Sequence, residues 1–377
     1  MKIKAYPLKN NRFSNWYTEV INRWHYEDFI KDPDWKNGWI SFDCCFYLND
    51  LKNLYLGLTS FNSDIFYGFD TVKKVFFSCG YERVKDKYDA KFHRSLVFSE
   101  KDKCLYGAVA QLHDIDSYYD APGGAIVRFD ILHNKIEKIC IPAPHAYIQS
   151  ICIDDNKGII YGITLNPEEM FSYEISSGRV EKLGVFGSAY SIAQGENIEI
   201  DNQGCVWCGW NILRPWQSSP GPDEHRLCKF NPDKKKMIYF KDGLENPEGD
   251  GFVKVEGIFN LGCGLFASGG NGSIFRINTE TGHGEYICTP IKDRKSRLAS
   301  LKMAPDGCAY GVVGKEGYCQ LLRFDPFKGS FHLLGEIEYG GEKCWQVHDI
   351  AITQDFVIYA CENDNPYRAS YLWEISL

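Results

Sequence analysis

One short strand recurs along this 377-residue chain and limits its fold more than any other feature. It ends in an aromatic or aliphatic residue followed by a polar one. Seven copies can be laid out: YGFD ending at Asp70, VRFD at Asp130, FSYE at Glu174, CKFN at Asn231, FRIN at Asn278, LRFD at Asp325, and LWEI carrying Trp373 and Glu374. The copies lie roughly 45 to 60 residues apart, and a period of that order means repeated units that bury their faces by stacking on one another.

Upstream of each copy lies a second recurrent strand with an aromatic at its centre: LYLGL around Tyr55, LYGAV around Tyr106, IYGIT around Tyr161, VWCGW around Trp207, LFASG around Phe266, AYGVV around Tyr310 and IYACE around Tyr359. Before these come apolar strands such as SLVFS, SICID and SLKMA, often followed by turn residues. Short strands follow several copies, giving four per unit, the makeup of a propeller blade. The chain stops after SYLWEISL with no fourth strand, and the alternating KIKAYPL at the start can cover that edge. The reading is therefore all-β: a seven-bladed β-propeller of four-stranded antiparallel blades, one domain over residues 1–377, with the N-terminal strand completing the last blade. Apolar residues near helical spacing over 15–35 predict a short helical insert, packed by Trp16, Trp24 and Trp35.

Composition agrees and narrows the function. The abundance of aromatic residues and glycines suits short strands and tight turns. The net charge of −8, with no run of Lys or Arg to track a phosphate backbone, argues against nucleic acid. No apolar stretch is long enough for a membrane span or a secretory signal, so a cytoplasmic, soluble protein is expected. Cys104, Cys205 and Cys308 each stand two residues before a recurrent aromatic, and a repeated position means packing, so these thiols read as small buried hydrophobes. The one CxxC, Cys205 to Cys208, would place its sulfurs on opposite faces of a strand, which disfavours a metal site. No cofactor or metal is implied.

In such a fold the innermost strands begin at a central funnel, where polar side chains from different blades converge. Counting thirteen residues back from each recurrent aromatic gives Phe42, His93, Ile148, Gln194, Val253, Arg297 and Gln346. His93, Arg297 and, two residues beyond Gln346, His348 are candidate funnel residues. In blade three the position is apolar, leaving its neighbours Tyr147 and Gln149. The insert after LYGAV offers His113, Asp114, Tyr118 and Tyr119, and a second insert in blade four offers Trp210, Arg214 and Trp216. Exposed aromatics of this kind suit stacking on sugar rings. His145 reads as a loop residue, and His25, His133, His225, His283 and His332 as surface.

The pair His93 and His113, bracketing LYGAV in one blade, resembles the histidine pair of the seven-bladed propeller polysaccharide lyases that cut uronate glycans, ulvan lyases and rhamnose-glucuronate lyases among them. The blade pattern covers the whole chain; the specific likeness is confined to blades two to four. The resemblance implies β-elimination on an acidic oligosaccharide, with a group to neutralise the carboxylate, a base for the C5 proton and an acid for the leaving oxygen. Position by position, His93 and His113 fit the pair and Tyr147 the tyrosine. The family's arginine would leave the second strand of blade three, where this sequence has Glu168 and Glu169; Arg214 is the candidate substitute. That departure supports a second reading, a non-catalytic propeller whose funnel docks a ligand or peptide. A third, a metal-dependent hydrolase, would need funnel carboxylates, for which Glu196 and Glu256 are the near candidates.

Overall fold

The structure, a computed structural model, describes residues 1–13, 31–165, 167–187, 197–212, 216 and 225–377. These divide into two compact units. The first comprises Met1–Tyr147, Glu316–Cys319 and Ile337–Leu377, and the second Ile148–Lys315 with Gln320–Glu336. Among the described residues no helix is long and apolar enough to cross a membrane.

Strands dominate, in four-stranded antiparallel meanders. In the first unit, Ser41–Leu48, Asn53–Thr59, Phe66–Asp70 and Val75–Ser78 form one meander, and Asp89–Ser99, Cys104–Gln111, Ile126–Asp130 and Lys135–Cys140 a second; a single bridge, Thr59 to Lys91, joins them. A third consists of Val347–Ile352, Val357–Glu362 and Tyr371–Ser376, and its fourth strand is the N-terminal Lys2–Pro7, with Lys2 opposite Ser376 and Pro7 opposite Tyr371. The edge that the C-terminal strand would leave open is thus covered from the other end of the chain, as its alternating pattern implies. Apart from Tyr147, Tyr318 and Cys319, the second unit holds the meanders that begin at Tyr147–Asp154, Glu199–Ile200, Val255–Asn260 and Leu298–Met303, the third of them carrying an extra edge pair, Leu244–Glu245 with Phe252–Val253.

The recurrent aromatics are the pins of these sheets. Tyr55, Tyr106, Tyr161, Trp207, Phe266, Tyr310 and Tyr359 are all buried. A buried hydroxyl or indole N–H needs an acceptor. Tyr106 donates to Asp102, Tyr310 to Asp306 at 2.9 Å and Trp207 to Asp201 at 2.7 Å, each acceptor coming from the turn just before the aromatic strand. Cys104, Cys205 and Cys308 beside them are buried free thiols. Cys205 and Cys208 pack into different cores, Cys208 lying 3.3 Å from Cys228. Gly57 and Gly107 are required by close approach: a Cβ at either would stand 2.5 Å from the Phe92 side chain.

The helix of the N-terminal insert spans Pro33–Gly38, with Pro33 at its first turn and Asp32 accepting from the backbone N–H groups of Asp34 and Trp35. Trp35 is buried, stacked 4.3 Å from Phe13 and 4.8 Å from Trp39. Trp16, Trp24 and the rest of 15–30 lie outside the described residues.

The first strands of neighbouring meanders contact one another, which makes them the inner strands: Ser41–Leu48 touches both Asp89–Ser99 and Val347–Ile352 in the first unit, and Val255–Asn260 touches Glu199–Ile200 and Leu298–Met303 in the second. These inner strands share a local fault. Their ladders slip between Phe42 and Cys44, Phe92 and Leu96, Val347 and Asp349, Val255 and Gly257, and Leu298 and Leu301. A bulge of this kind re-aims the extra residue. The residues so placed include Asp43, His93, His348 and Glu256.

Candidate functional site

In the first unit the bulges bring Asp43, His93 and His348 into one buried chain of polar groups. Asp43 is buried; it accepts from Thr59 Oγ1 at 2.5 Å, faces Lys91 Nζ at 3.4 Å and meets His348 Nδ1 at 3.2 Å. Burial pushes its carboxyl up to about 7 and the neighbouring Asp364 adds to the rise, while Lys91 and the Thr59 hydroxyl oppose it. The His348 ring stands edge-on to His93, centroids 4.8 Å apart, and His93 in turn lies 6.3 Å from the Tyr147 ring. His93 and His348 are only 4% and 3% exposed, whereas Tyr147 is half-buried. The order Asp43, His348, His93, Tyr147 therefore runs outward from the interior.

His113 stands elsewhere. Asp89 is opposite Gln111 in the ladder and Leu112 N bonds to Tyr88 O, so His113 lies past the strand end from which His93 is set back by several residues. Its neighbours are the Tyr88 ring at 5.5 Å and the Tyr118 ring at 6.0 Å. Tyr118, Tyr119 and His145 continue this cluster, Tyr119 lying 5.1 Å from Tyr118 and 5.5 Å from His145. The ledge is fastened from below: Gln111 donates to Asp89 and accepts from Gly123 N at 2.8 Å, and His145 Nδ1 donates to Ala121 O at 2.7 Å. Tyr119 nevertheless remains 81% exposed, and Ile115, four residues earlier, is exposed as well.

The other sequence candidates are dispersed. Arg214, Gln194 and Glu196 lie outside the described residues. Phe42 and Ile148 are core residues, and Gln149 is buried. In the second unit Arg297 Nε donates to Glu256 at 2.6 Å, an ion pair rather than an open ligand-binding arginine. Trp210 donates to Phe240 O at 3.1 Å and packs edge-on to Tyr239, which accounts for its place without a ligand; Trp216 is exposed. Glu168 is buried, and Glu169 lies 2.8 Å from Lys182.

Beyond these, the structure adds Asp43, Thr59, Lys91, Ser41, Asn363 and Asp364. Ser41 Oγ lies 3.3 Å from Asp364 Oδ1, and Asn363 Nδ2 donates to Asp364 Oδ2 at 2.8 Å. A fixed count back from the aromatic passes over Asp43 and His348 because the bulges and the intervening turns differ in length from strand to strand. The readable signal would have been a polar residue directly after an apolar one in each inner strand: Phe42-Asp43, Phe92-His93, Val255-Glu256, Val347-His348.

No protein-family model and no curated protein matches this chain. Solved structures do. The WD40 repeats of RRP9 superpose with a TM-score of 0.58 at 8% identity over 100% of both chains. The β-propeller domain of Cps50 (Swd1) from Myceliophteria thermophila gives 0.56 at 10% identity, covering 89% of this chain and 96% of that one. The fold is a β-propeller. YCF48 from Cyanidioschyzon merolae is similar too, at 0.58 and 10% identity over 100% of this chain and 99% of its own. At such identities the likeness is one of fold alone.

Proposed function

We propose that this propeller is a non-catalytic binding protein. The observation that carries the reading is the separation and burial of the histidines: His93 is sealed against His348, which is held by Asp43, while His113 belongs to a different cluster. General acid–base work on a glycan requires side chains within hydrogen-bond reach of the substrate. Beside His113 stands the exposed Tyr119, packed against Tyr118 and His145, and an exposed aromatic held by its neighbours has the character of a docking surface. Asp364, partly exposed near the inner strands, would repel a uronate, so an acidic oligosaccharide is a poor ligand there.

The lyase reading keeps one specific support, the grouping of His93 and Tyr147. Incubation with a panel of uronate oligosaccharides separates the two. The binding reading expects no rise in the ultraviolet absorbance of a 4,5-unsaturated product. A rise that His93→Ala abolishes would overturn it and install the lyase in its place.

A further inference from the structure

We infer that Gln346, Asn363 and Asp364 form a receptor for the cationic head of a basic side chain, a guanidinium or ammonium group carried by a peptide partner. The inference rests on the binding reading above and gives it a ligand chemistry.

The three residues come together where the inner strand Val347–Ile352 begins and its neighbour Val357–Glu362 ends, fixed by the bond from Asn363 N to Gln346 O at 3.0 Å. Both amides donate to the same oxygen: Gln346 Nε2 at 3.5 Å and Asn363 Nδ2 at 2.8 Å from Asp364 Oδ2. With their nitrogens committed, the orientation of both amides is set. What remains is Gln346 Oε1 and Asn363 Oδ1, two buried carbonyl oxygens with no hydrogen-bond partner among the described residues. Their side chains belong to residues 6% and 0% exposed. Buried acceptors are rarely left so, and each belongs to an amide that donates to the same carboxylate.

Such a set can be satisfied only by donors or a cation, and a positively charged N–H group supplies both. Asp364 is partly exposed, which leaves a side for approach. Among the described residues, Arg368 forks onto Glu362 at 2.7 and 3.0 Å and also bonds Glu342, and Lys91 faces Asp43 at 3.4 Å. Next in sequence to Gln346, Trp345 makes an edge-on pair with Tyr367 at 5.4 Å, and Tyr367 is 53% exposed. Tyr367 stands three residues beyond Asp364, and an exposed aromatic ring is a common partner of a bound organic cation.

Ligand-observed saturation-transfer NMR on the full chain tests this with Nα-acetyl-arginine amide, Nα-acetyl-lysine amide and the neutral Nα-acetyl-citrulline amide. At least one cationic probe should give a saturable signal about tenfold tighter than citrulline, and Asp364→Asn should weaken it about tenfold. Tyr367→Ala, at an exposed position that leaves the fold intact, should weaken it severalfold, which keeps the test informative if the aspartate variant fails to fold. Equal binding of citrulline, no saturable signal from either cationic probe, or a calcium chloride titration that saturates the site while the organic cations do not bind would each overturn the inference. The product assay reads the binding proposal separately, so the two can fail independently.

Discussion

The inner strands of the two units solve the same problem with different chemistry. Each must carry polar side chains into a crowded interior, and a buried polar group without a partner is costly. In the second unit several partners among the described residues are backbone, beside the ion pair of Arg297 and Glu256. Asn197 clasps Ile258, donating to its carbonyl at 2.8 Å and accepting from its N–H at 2.9 Å; Asn260 donates to Ile200 O at 2.8 Å, and Ser268 to Leu298 O. In the first unit the side chains bond one another: Asp43 to Thr59, Lys91 and His348, and Asp364 to Gln346, Asn363 and Ser41. A side chain bonded to backbone is a staple, since its partner cannot move or change charge. Side chains that answer one another can be altered by a proton or a ligand, and that makes the first unit the place to look for function.

The two units should differ most visibly in their response to pH. The folded-state pKa of Asp43, raised from 3.8 to about 7, lies above its unfolded value, so its stabilising contribution is complete below about pH 4 and is lost as the pH climbs through about 7. Over that range the wild type should lose on the order of 4 kcal/mol more than Asp43→Asn, measured by urea unfolding at stepped pH. Identical slopes would mean that Asp43 does not hold its proton. Next comes Glu256→Ala, which strips Arg297 of its carboxylate in the second unit and should cost about 3–5 kcal/mol in the same assay. Asn197→Ala deletes a clasp with two bonds and should cost about 1–3 kcal/mol, independent of pH between about 4 and 7. A strong pH dependence there would erase the distinction drawn between the units. The smallest effect belongs to Tyr119→Ala, within about 0.5 kcal/mol of wild type in thermal melting, because its side chain faces solvent.

The repeat made the fold legible. The buried aromatics, the thiols packed beside them and the N-terminal strand pairing with Tyr371–Ser376 all follow from positions that recur or from an edge that needs covering. Part of the polar chain was also within reach: His93, His348 and Tyr147 stand out because histidine and tyrosine are sparse at inner-strand positions. Asp43 and Asp364 do not stand out, since carboxylates are common in turns and nothing in the sequence marks one as buried. Their placement depends on bulges that shift the ladder by a residue, between Phe42 and Cys44 and between Val347 and Asp349, and on the left-handed backbone at Asp364. His93 and His113 are set apart along the ladder for a related reason: antiparallel pairing puts Asp89 opposite Gln111, so His113 leaves its strand several ladder positions beyond His93.

On the binding reading, His93 and His348 are internal groups that answer to Asp43 and not to substrate. Long-range nitrogen–proton NMR of the imidazole rings, recorded with and without saturating uronate oligosaccharide, measures this directly. A protonated His348 Nδ1 and ring signals of both histidines that do not move on addition of the glycan are the predicted result. A shift of the His93 ring nitrogens, titrating with glycan and absent from Tyr147→Phe, would contradict it.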